Sequence, residues 1–94
     1  MAKSIISTEL KCYICGRKSP LERHHIFGAA NRPKADKDGL VVYLCHDCHN
    51  EPPNGVHHNK GIDVQLKQIG QKAWMDHHGK SADDFRRRYG KNYL

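Results

Sequence analysis

Leu40-Val41-Val42-Tyr43-Leu44 is the most apolar run in the chain, and its shortness and β-branched residues predict a buried strand rather than a helix. Leu21 to Phe27 predicts a second strand, with Leu21, Arg23, His25 and Phe27 on one face and Glu22, His24 and Ile26 on the other. The two should pair as an antiparallel ribbon, joined by a polar loop, Lys34-Ala35-Asp36-Lys37-Asp38-Gly39, that is rich in turn formers. Helical spacing takes over downstream. Ile62, Leu66, Ile69, Ala73 and Trp74 form an apolar stripe on a helix from about Lys60 to His78, with Asn59 as N-cap and Gly79 as the residue that ends it. Ser81 and Asp84 have capping-box spacing for a last short helix, on which Phe85 and Tyr89 lie one turn apart.

Between these elements lie two Cys-x-x-Cys pairs, Cys12/Cys15 and Cys45/Cys48. The first pair has the form of a zinc knuckle, entered by a strand and turned at Gly16. The second is a further knuckle or the first turn of a helix, which Pro52-Pro53 then breaks. The fold class expected is small α+β. Residues 1–10 form a tail that is either frayed or an added edge strand, and residues 11–94 form one domain, with a motif core over 11–58 and helices over 59–94.

Composition changes the picture in one respect. In 94 residues only 37% are apolar, so the core is thin and a staple is expected. Two disulfides would serve a secreted chain, but Met1 to Ile6 has no signal-peptide character and no run is long enough to span a membrane. In a cytoplasmic chain, paired Cys-x-x-Cys reads as a structural Zn²⁺ site of four thiolates, with His46 or His49 as the alternative to one cysteine. The formal charge of +6 falls to about +4 once four thiolates hold one zinc, which still favours an anionic partner. Arg17, Lys18, Arg23, Arg32 and Lys34 flank the motif and are candidate phosphate contacts, with Arg86-Arg87-Arg88 as a second basic patch.

Eight histidines are a large excess for this length. His77-His78 suit the C-terminal dipole of the long helix, and His46 lies inside the second cysteine pair as a solvated or supporting residue. His24, His25 and His49 differ, because convergence of the cysteine pairs on one ion draws their segments together. Adjacent strand residues point to opposite sides, so His24 and His25 can serve the two ends of an in-line attack on a phosphodiester, one at a metal and one at water. Glu22 shares a face with His24, where it either fixes that ring's tautomer or is exposed.

Cys12, Cys15, Glu22, His24, His25, Ile26, Leu44, Cys45, Cys48 and His49 together form a pattern that resembles the HNH (ββα-metal) endonucleases, above all the small zinc-stapled proteins of bacteriophages and prophages. The resemblance covers residues 11–50. It implies a DNA endonuclease in a bacterial host cell, with His25 as general base and His24 and His49 as ligands of one catalytic divalent cation (Mg²⁺, Mn²⁺, Ni²⁺ or Zn²⁺). It further implies 5′-phosphate and 3′-hydroxyl products, and DNA and phage replication or packaging proteins as partners. The family often has one more ligand beyond the helical histidine; His57 and His58 are the candidates. His57 is preferred because Asn54-Gly55 can turn the chain back. Where the family carries its middle asparagine this chain reads Asp38-Gly39-Leu40, which leaves Asn31 or a backbone carbonyl to orient the base. The rivals are a non-catalytic zinc-bearing DNA-binding module and a phage assembly or replication accessory protein.

Overall fold

A computed structural model describes residues 3–53 and 55–94; Met1, Ala2 and the proposed turn residue Asn54 lie outside the described residues. It is a small α+β protein. Strand β1 (Glu22–His25) pairs antiparallel with β2 (Val41–Leu44), placing His24 opposite Val42 and His25 opposite Val41. Both strands are shorter than the sequence implies, although Ile26 N–H still reaches Leu40 O at 3.0 Å. Four helices complete the described fold: α1 (Arg32–Asp38), α2 (His46–Asn50), α3 (Lys60–His78) and α4 (Ala82–Tyr89).

The long helix matches its sequence signals. Asn59 Oδ1 accepts from Ile62 N–H, and Gly79 closes α3 at φ 61°. Ser81 and Asp84 form the capping box of α4, and Phe85 stacks on Tyr89 at 4.6 Å. The stripe itself needs one correction. Ile69 is 39% exposed, and the neighbouring turn makes the contact instead. A methyl group on Gly70 would lie 3.2 Å from both Ile26 and Phe27, so glycine lets α3 approach the end of β1 closely. Buried Gln71 bonds Asn92 and the backbone of Tyr93, each at 2.7 Å, and so ties the last residues to the core.

The expected polar loop between the strands is a helix. Pro33 sits in the first turn of α1, where its fixed φ suits a helix start, Ala35 is fully buried, and Gly39 ends the helix at φ 76°. Turn-forming residues hide this helix in the sequence because its stability comes from tertiary bonds. Asp38 accepts from Trp74 Nε1 (3.0 Å), Arg88 Nε (2.6 Å), Arg88 Nη2 (2.8 Å) and Tyr89 Oη (2.6 Å). Arg88 is therefore not a surface charge like Arg86 and Arg87. The N-terminal tail is neither frayed nor a strand from residue 3 onward. Ile5 N–H bonds Gly39 O at 3.0 Å, Ser4 Oγ bonds Val41 O, and Ile5 and Ile6 pack on the core. No strand leads into the first cysteine pair among the described residues.

Burial pushes the Asp38 carboxyl up, but the bonds from Arg88 and Tyr89 outweigh this and hold it below its ordinary value. Its contribution is then fully present at neutral pH and lost only as the pH falls through the folded-state value, below about 4. Asp38→Ala is expected to lower stability by roughly 3 kcal/mol, the lower end for breaking a buried pair, since Arg88 is partly exposed and can rehydrate. Urea midpoints should show the same deficit from about pH 6 to 8; a midpoint equal to wild type would refute the role of this node.

Candidate metal centres

The two cysteine pairs converge. Cys12 and Cys15 flank a turn closed by Gly16 at φ 82°, with Gly16 N–H bonded to Cys12 O at 2.9 Å. Cys45 caps the N-terminus of α2 and Cys48 lies within that helix, so the second pair is a helix start. All four Sγ atoms lie within 4.8 Å of one another, and Cys15 Sγ is 3.6 Å from Cys45 Sγ. A tetrahedron of Zn–S bonds has edges of about 3.8 Å, so the sulfurs fit a metal ion such as zinc. Four thiols so close cannot all ionise without a cation. Burial opposes ionisation of Cys12, yet hydrogen bonds from the backbones of Cys15, Cys45 and Ile14 take it down to about 6. Burial and the neighbouring thiols push Cys48 the other way. Neither His46 nor His49 joins this cluster.

A second cluster gathers His24, His49 and His57, each offering one ring nitrogen within 4.8 Å of the others. Three elements deliver them: β1, the last turn of α2, and a 3₁₀ turn, Val56–His58. His49 Nε2 and His57 Nε2 are 2.9 Å apart, a spacing two lone pairs tolerate only around a shared proton or cation. His24 is 5% exposed, and its Nε2 is buried without a hydrogen-bond partner. Such orphaned atoms are rare in proteins and need an explanation, and an ion between the three rings is a sufficient one. Burial, then the nearby His49 and His57, lowers His24 to about 4, so the ring is neutral and able to ligate at pH 7.

Glu22 contributes differently from the sequence reading. Its carboxylate accepts from His49 Nδ1 at 2.8 Å and His46 Nδ1 at 3.2 Å, rather than from His24. A carboxylate can only accept, so His49 carries its proton on Nδ1 and leaves Nε2 for a ligand. His46 links Glu22 to Glu51, which it meets at 2.9 Å. Of the two candidates, His57 lies in the cluster and His58 outside it.

A cleft of about 310 Å³ opens beside the histidines, lined by His24, His49 and His57 together with Arg23, His25 and Arg32. His25 points away from the cluster, and its Nε2 lies 3.1 Å from Asp36 Oδ1 on α1. Arg23 donates to the same oxygen at 3.0 Å. These bonds, from His25 first and then Arg23, hold the Asp36 carboxyl below its usual range. Sequence reasoning missed Asp36 because its position depends on the unrecognised helix. Asn31 is engaged elsewhere, donating to Tyr89 O at 2.9 Å.

Of the five candidate phosphate contacts, Arg23 and Arg32 line the cleft. Arg17 faces Asp47 at 3.6 Å, Lys18 is exposed, and Lys34 donates to Arg88 O at 2.9 Å. No helix of the described residues is long and apolar enough to cross a membrane. Comparison with protein-family models, with curated proteins and with solved structures finds no match.

Proposed function

We propose that this chain is a metal-dependent DNA endonuclease of the HNH (ββα-metal) type, with β1, β2 and α2 as the ββα unit. One observation carries the reading: three histidine rings converge, and one of them, His24, has a buried and unpartnered Nε2, beside a cleft that also holds the adjacent His25. Three protein ligands with an opening to solvent is the pattern of a catalytic site, as four thiolates are of a structural one. A divalent cation held by His24, His49 and His57 would supply charge neutralisation at the departing and non-bridging oxygens.

This chain's own residues account for the rest. His25 takes a proton from water as the water oxygen attacks phosphorus. The bond from phosphorus to the 3′-oxygen breaks, its electron pair stays on that oxygen, and protonation from solvent yields a 3′-hydroxyl opposite a 5′-phosphate. Arg23 and Arg32 meet the flanking phosphates, and neither reads bases, so cleavage is weakly sequence-specific.

Purified protein is expected to hold two metal ions per chain, and His57→Ala only the ion of the cysteine site. Wild type should nick supercoiled plasmid with at least one of Mg²⁺, Mn²⁺, Ni²⁺ or Zn²⁺, and EDTA should stop it. Folded, zinc-loaded protein that binds DNA in a salt-dependent way but nicks with none of these ions would refute the nuclease and leave the binding-module reading. The lack of an asparagine bonded to His25 among the described contacts is what favours that alternative.

A further inference from the structure

We infer that Asp36 is the positioning residue of His25, and that α4 supports the site by clamping the helix that carries Asp36. Only the catalytic consequence rests on the nuclease reading; the positioning itself is a property of the fold.

Helix α1 is fastened to α4 along its length. Asn31, just before it, donates to Tyr89 O at 2.9 Å; Lys34 donates to Arg88 O at 2.9 Å; Asp38, at its end, accepts from Arg88 Nε and Nη2 and from the Tyr89 hydroxyl. Residues two apart on a helix differ by about 200° around the axis. With Asp38 turned to α3 and α4, Asp36 must therefore face the other way, toward β1. There its Oδ1 meets His25 Nε2 at 3.1 Å and Arg23 Nη2 at 3.0 Å. The guanidinium and the ring share one oxygen, which fixes the carboxylate and the imidazole in one arrangement. An ionised carboxylate only accepts, so His25 carries its proton on Nε2 and keeps its lone pair on Nδ1. Nδ1 is thus the atom that takes the proton from water. Residues 82–89, which supply no ligand and no wall of the histidine cleft, acquire a role: they hold α1 in the register that aims Asp36 at His25.

The test uses the full, zinc-loaded chain. Two-bond ¹⁵N–¹H spectra of the His25 ring, assigned by its absence in His25→Ala, are recorded at about pH 8.5, above the ordinary imidazole range. Wild type is expected to show one tautomer, protonated at Nε2. Asp36→Asn, whose amide oxygen still accepts, should keep it. Asp36→Ala should give a mixture, and Arg88→Ala should move the same way by a smaller amount. Zinc content and circular dichroism establish that each variant is folded. Plasmid nicking should slow about 10- to 100-fold in Asp36→Ala, the usual range for losing a partner that orients a functional histidine, and much less in Asp36→Asn. An unchanged tautomer in folded Asp36→Ala overturns the positioning, and an unchanged one in Arg88→Ala overturns the part given to α4. If wild type nicks nothing while the tautomer follows Asp36, the positioning stands and the nuclease reading falls. If wild type nicks but the tautomer ignores Asp36, the reverse holds.

Discussion

Cys45→Ser is expected to leave the chain without zinc and largely unfolded at 25 °C. Cys45 is 1% exposed, caps α2 and lies 3.6 Å from the sulfur of Cys15. Serine is close in size and can cap a helix, but it removes a soft thiolate from a site of four. Binding of structural zinc is worth about 10–16 kcal/mol in small zinc peptides, as large as the whole stability of a typical domain of about 5–15 kcal/mol. With a thin core of 37% apolar residues, little else compensates. The damage should reach the second cluster, because the five residues of α2 carry both Cys48 and His49. Far-ultraviolet circular dichroism, zinc content and binding of a second ion should therefore fail together. A Cys45→Ser protein that loses zinc yet melts at the wild-type temperature would show that the cysteines are not the staple.

His25→Ala is expected to have the opposite profile: folded, loaded with both metals, and slower at nicking by a factor of about 10²–10⁴, the range for removing a general base. The side chain touches neither metal cluster, and its removal leaves Asp36 paired with Arg23 at 3.0 Å. The stability loss should stay near the value of one hydrogen bond, about 1 kcal/mol. His24→Ala, one residue away, is the control that separates the roles. It should lose the second ion and nicking together, because His24 is the buried one of the three clustered rings. Initial rates at saturating metal distinguish the two variants. Wild-type nicking by His25→Ala would remove His25 from the chemistry even if the protein is a nuclease.

How much of this was legible in the residues follows from the range of the forces involved. The strand pair, the caps of α3 and α4 and the Phe85–Tyr89 stack depend on short-range patterns, periods of two and 3.6 and single capping residues, which a linear sequence displays directly. The grouping of four thiols was legible for the same reason: Cys-x-x-Cys already sets half of a tetrahedron, and two such pairs need only meet. His57 was legible only as a choice between neighbours, and its nearness to His24 and His49 depends on the turn that carries it.

Other features were decided by tertiary contacts. Residues 32–38 look like a loop because nothing local outweighs their turn formers, and they become a helix because Asp38 finds Trp74, Arg88 and Tyr89 at the far end of the chain. Asp36 then meets His25, and Ile69 yields its place in the core to Gly70, since the angle at which helices pack against the ribbon depends on all the side chains between them. Glu22 supports His49 instead of His24, because a carboxylate goes to the nearest donor in space whatever strand face it shares. The sequence by itself determined the strand pair, the caps of α3 and α4 and the two cysteine pairs that the fold brings together. Tertiary structure decided how the side chains are oriented, because orientation depends on hydrogen bonds between residues up to 58 positions apart, beyond the reach of any local pattern.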